Sequence, residues 1–83
     1  MKTADFAIRM VGDDIENARE RAERAVQWME RMSRELAEAV REGRDSACQM
    51  SNLTSAVCDL GAANATLHKY QTVLKFLEDV KNG

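Results

Sequence analysis

At 83 residues the chain has room for one domain, and its formal net charge of -2 gives no bulk attraction to nucleic acid or anionic lipid. With no proline, 5% aromatic residues and 31% charged residues, the composition points to helix and argues against a β-fold or a disulfide scaffold. A compact chain of this length buries only roughly 60% of the surface its unfolded form exposes, so association is expected to supply part of its stability.

In chain order, residues 4 to 42 read as a long amphipathic helix. Ala4, Ile8, Val11, Ile15, Ala18, Ala22, Ala25, Met29, Met32, Leu36 and Ala39 recur at alternating spacings of three and four, the pattern of a coiled-coil seam. Gly12 interrupts the pattern, and Asp13-Asp14-Ile15-Glu16 resembles a capping box, so a start or kink near Asp13 competes with a continuous helix. The stripe keeps its phase across Gly12, which favours continuity. Glu20–Arg24, Glu30–Arg34, Arg31–Glu35 and Arg34–Glu38 are spaced for ion pairs along the helix, each worth about 0.3 kcal/mol. They describe either a solvated charged face or an arginine-bearing surface for an acidic partner.

Gly43 falls where a left-handed cap ends the helix, and residues 43 to 45 are expected to turn the chain. Ser46 and Gln49 then have the spacing of a capping box for a second helix, residues 46 to 80, with Lys81 favourable at its negative end. Leu53, Leu60, Leu67 and Leu74 mark every seventh residue of that helix, with Ala56, Ala63, Tyr70 and Leu77 between them. Folding back at residues 43 to 45 sets Leu36 against Leu53, Met29 against Leu60, Ala22 against Leu67 and Ile15 against Leu74. These eight are the expected core of a long antiparallel helical hairpin, an all-α single domain spanning residues 1–83.

Apolar residues off the seam call for more than two helices. Val26, Trp28 and Val40 flank the first stripe, and Met50, Val57, Val73, Phe76 and Val80 widen the second. A homodimer of hairpins forming a four-helix bundle would absorb them. Trp28 is expected to pack over Ala56 and Ala63 inside such a bundle, or else to anchor a partner. Asn64 reads as exposed or as a buried register-fixing amide, and Gly61 as a close approach or a weak point.

Chemistry is scarce. His68 has no Cys or acidic residue one helical turn away, and no nucleophile shares a cleft with it, so neither a metal site nor an enzyme is expected and no cofactor is implied. Cys48 and Cys58, on one helix, stand about 15 Å apart, beyond disulfide reach. Free thiols, the absence of a signal-peptide core after Met1 and the absence of a long apolar run lead to the expectation of a cytoplasmic protein away from the membrane.

In architecture the paired hairpins resemble a small plasmid regulator that binds RNA through two helical hairpins; length and heptads carry that likeness. The arginines are interleaved with acids, however, and no basic stripe emerges, which argues against nucleic acid. The expected function is non-enzymatic: a bacterial or phage-type regulator or inhibitor that binds another protein and blocks it sterically. The expected contact residues are Trp28, Arg24, Arg31, Arg34 and Phe76. A secretion-type chaperone or assembly subunit that lays its seam on a partner helix is the alternative, and a dimeric RNA or DNA binder the second alternative.

Overall fold

The computed structural model describes residues 2–83; Met1, the first residue of the expected domain, lies outside them. Two helices account for almost all of these residues: α1, Lys2–Arg41, and α2, Ala47–Asn82. They pack antiparallel into a rod whose Cα atoms span 62 × 13 × 13 Å, the length that about 40 residues of helix at 1.5 Å per residue demand. α1 runs unbroken through Gly12, whose missing side chain would meet nothing within 4 Å. The hydrophobic phase held across the glycine, and seam packing outweighs its propensity cost of about 1 kcal/mol.

The turn is closed by backbone geometry. Gly43 has φ 70, the left-handed region in which a Cβ is strained. Its N–H donates to the Val40 carbonyl at 3.2 Å, and the Arg44 N–H donates to the Ala39 carbonyl at 2.8 Å. Those are the two bonds of a Schellman motif, and they satisfy carbonyls that the end of α1 would otherwise leave open.

The start of α2 corrects the expected capping box. Ser46 sits at φ -110, ψ 10, and its hydroxyl makes no cap bond. A capping side chain needs an extended backbone at its own residue to reach the N2 or N3 amide, and ψ near zero denies Ser46 that geometry. Asp45 takes over: its Oδ1 accepts the Ala47 N–H at 3.0 Å. Gln49 does not reach back, and its Oε1 is buried with no hydrogen-bond partner.

Burial follows the seam. Ile15, Ala18, Ala25, Met32, Ala39, Ala56 and Ala63 are the buried hydrophobic residues, and all belong to the two expected stripes. The other expected core members, Ala22, Met29, Leu36, Leu53, Leu60, Leu67 and Leu74, are only half-buried. Five of the seven buried side chains are alanines. Apart from Ile15 and Met32, the hairpin covers its large seam residues only by half, which is the expected limit of two helices with one mutual contact line.

At the open end Lys81 Nζ lies 2.7 Å from Asp5 Oδ1. Their hydrogen bond and charge attraction hold the Asp5 carboxyl below the usual carboxylate range and the Lys81 ammonium above the usual lysine range. Each charge also complements the helix end that carries it: Asp5 lies in the first turn of α1 and Lys81 in the last turn of α2. Because the folded pKa of Asp5 is lowered, its contribution is full above the unfolded value near ~3.9 and is lost as pH falls through the folded one. Lys81, with a raised folded pKa, contributes fully below about 10.4 and loses its contribution as pH rises through the folded value. Amide protection factors at Phe6, Ala7 and Val80 should fall below about pH 4 while those at Met32 and Ala56 hold. Asp5→Asn should remove this acid sensitivity of the open end.

Candidate functional site

Two flanks border the seam, and the antiparallel arrangement decides which residues share each. Residues directly after a buried position of α1 lie on the same flank as residues directly after a buried position of α2, because reversing a helix also reverses its sense of rotation. One flank near the turn thus gathers Val26 and Val40 from α1 with Met50 and Val57 from α2, all exposed. We refer to it as the valine flank. The opposite, tryptophan flank gathers residues directly before a seam position: Arg21 and Trp28 on α1, Asp59 and Val73 on α2.

The tryptophan flank holds a hollow of about 490 Å³ lined by Arg21, Arg24, Ala25, Trp28, Ala56 and Asp59. Its floor exists because the seam places two buried alanines, Ala25 and Ala56, where larger residues would have filled the inter-helix groove. Trp28 is 43% exposed. Its ring carries the Arg31 guanidinium, with Cζ 5.5 Å from the ring centroid, a cation–π contact worth about 0.5–1 kcal/mol at an exposed site. Arg31 Nε also lies 3.4 Å from Glu35 Oε1. The tryptophan is therefore held from one side and open on the other.

The expected contact residues do not all converge. Trp28, Arg24 and Arg31 form one group. Arg34, also exposed, lies on the outer face of α1 and is not among the residues lining the hollow. Phe76 is 67% exposed and lies about 26 Å along α2 from Asp59, as the helical rise requires. It joins Val73 and Val80 in a separate apolar strip on the same flank near the open end. Trp28 borders Ala56 as expected, but Ala63 is not part of the hollow's lining, and the single hairpin does not bury the ring.

Of the four expected ion pairs along α1, Arg31–Glu35 forms; Glu20–Arg24, Glu30–Arg34 and Arg34–Glu38 do not come within bonding distance among the described residues. Exposed pairs gain little from contact and lose side-chain entropy by making it. The practical result is that Arg21 and Arg24 face the hollow without an acidic partner among the described residues.

Sequence reasoning missed four positions. Phe6 and Met10 are 61% and 51% exposed, and their spacing of four off the stripe was the available signal. Arg21 and Asp59 reach the hollow only through the flank geometry, which neither helix reveals alone. Asn64 is exposed, and a side chain added at Gly61 would meet nothing within 4 Å, so neither residue fixes the hairpin's own packing. Cys48 and Cys58 are free and exposed. Among the described residues no cluster of three or more His, Cys, Asp or Glu side chains could hold a metal, and no helix is long and apolar enough to cross a membrane. Compared with known families, with characterised proteins and with solved structures, the chain matches none.

Proposed function

We propose that the chain is a non-enzymatic regulator that acts as a homodimer of hairpins in the cytoplasm and binds a protein partner along its tryptophan flank. The mechanism is steric: a rigid rod covers the partner's own contact surface, as expected of a small bacterial or phage-type inhibitor. The observation that carries this reading is Trp28, half-exposed, clamped by Arg31, and standing at the edge of an alanine-floored hollow with Arg21 and Arg24. Tryptophan and arginine are the residues that dominate interface energetics, and a pre-ordered ring loses little entropy on binding.

The test is capture of a partner by the tagged chain and by its Trp28→Ala/Arg31→Ala variant, with helicity checked on both. Recovery by the parent chain, and a loss of at least about tenfold in the folded variant, supports the reading. Equal recovery by both removes Trp28 and Arg31 from the site.

The half-buried leucines favour one other reading, in which a partner helix completes the seam as in a chaperone or assembly subunit. That reading calls for an isolated chain that melts without cooperativity as a monomer.

A further inference from the structure

We infer that the valine flank is the surface on which a second copy of this chain docks, with the twofold axis crossing α2 near Val57. The inference rests on the dimeric reading above and assigns it a face. Three observations converge on it.

The first is area. The hairpin exposes 6219 Å² of accessible surface. A compact monomer of 9.3 kDa exposes about 5,000 Å² by the usual scaling. The excess, about 1,200 Å², is more than the roughly 800 Å² per partner that a standard interface removes. One further hairpin laid along the rod accounts for it.

The second is charge. A twofold contact sets a patch against itself, so every charge within it meets its own kind. Between Ala47 and His68, α2 carries a single charged residue, Asp59, and it sits on the opposite flank. The outward face of this segment is Met50, Thr54, Val57, Gly61 and Asn64, all exposed and all uncharged. On α1 the same flank carries Val26, Ser33 and Val40, interrupted by the carboxylates of Glu23 and Glu30, so the uncharged area is centred on α2. The remaining outer surface of α1 is dense in arginine and glutamate and offers no comparable self-complementary area.

The third is direction. The face made by Met50, Thr54, Val57, Gly61 and Asn64 is turned roughly a right angle from the seam of α2, as the helical repeat dictates. A helix in a square four-helix bundle has its two neighbours at that angle. Pairing about Val57 sets Val57 on its own mate, Met50 across from the small amide of Asn64, and Thr54 toward Gly61. Gly61 would meet nothing if it bore a Cβ, so it leaves room for a close neighbour. The tryptophan flank stays outside this contact, free for the partner.

The chain's own thiols test the register. Around an axis at Val57 the two Cys58 residues lie on facing helices 8–10 Å apart in axis, while the two Cys48 residues are about 27 Å apart along them. Cys48→Ser and Cys58→Ser variants, treated at low micromolar concentration with a short bis-maleimide, should differ: Cys48→Ser yields covalent dimer and Cys58→Ser does not. Sedimentation of Val57→Glu should show the dimer weakened by at least about a hundredfold, because two carboxylates then meet at the axis. Val57 is 49% exposed in the hairpin, so the variant should keep its helicity.

A dimer that survives Val57→Glu, or that crosslinks through Cys48, overturns the face and register while leaving dimerisation itself intact. A cooperatively melting monomer overturns both. Partner capture through Trp28 is read separately, so neither result is confused with failure of the tryptophan flank.

Discussion

Ala63→Asp is expected to unfold the hairpin, whereas Ala65→Asp, two residues further along the same helix, should leave it folded. Ala63 is 0% exposed, and Ala65 is exposed. Both replacements sit in mid-helix and lose the same intrinsic propensity, about 0.7 kcal/mol at most, so the pair isolates burial. At position 63 the carboxylate must either stay charged away from water, at several kcal/mol, or take up a proton. Its extra volume also has to be accommodated in a groove sized for a methyl group, at about 1–3 kcal/mol more. An 83-residue domain has a total stability of only about 4–12 kcal/mol. Loss of most helical circular dichroism by Ala63→Asp at pH 7 and 25 °C is therefore the expected result. Burial raises the carboxyl's pKa in any folded form, so the charge penalty is present above the unfolded pKa of about 3.9 and eases as pH falls through the raised value. Partial recovery of helicity near pH 4 would identify charge, and its absence would identify volume, as the larger cost. A fully folded Ala63→Asp at neutral pH would show that the two helices do not meet as described.

The contrast between those two alanines was legible before any coordinates, because Ala63 shares its heptad position with Ala56 and Ala65 does not. The seam as a whole was legible for the same reason: two independent stripes, each regular, registered across one glycine. What periodicity does not encode is how much of each side chain a single neighbour can cover. Leu53, Leu60, Leu67 and Leu74 lie on the stripe yet remain half-buried, because a leucine extends past the contact line that an alanine just reaches. Local backbone choices were equally hidden. Ser46 and Asp45 are both good capping residues, and only the torsion at Ser46 gives the role to Asp45. The charged face was misread at Glu20–Arg24, Glu30–Arg34 and Arg34–Glu38, since correct spacing makes an exposed ion pair possible without making it favourable. The hollow was the least accessible feature. It needs Arg21 and Trp28 from one helix and Asp59 from the other, joined by a flank relation that neither helix shows until the two are set antiparallel, seam to seam.

Met32→Ala and Trp28→Ala should separate the residue that holds the hairpin from the one that serves it. Met32 is 3% exposed, the least exposed of the buried residues larger than alanine. Its truncation should cost about 3 kcal/mol, within the range for deleting a buried methionine side chain. For a chain of this size that lowers the melting midpoint by roughly 12–24 °C. Trp28 is larger but 43% exposed, and only its inner edge against the alanine floor is withdrawn from water. Half of a buried aromatic's transfer free energy is about 1–1.5 kcal/mol, and alanine returns about 0.5 kcal/mol of that through its better helix propensity. Trp28→Ala should therefore melt within roughly 8 °C of the parent chain. The two side chains lie four positions apart on one helix, so a difference of that size reflects the direction each faces and not its place along the rod. Thermal melts of both variants at one protein concentration decide the matter. Equal losses would place Trp28 in the core and remove it from the partner surface; a small loss at Trp28 beside a large one at Met32 leaves an ordered, exposed tryptophan whose burial awaits another molecule.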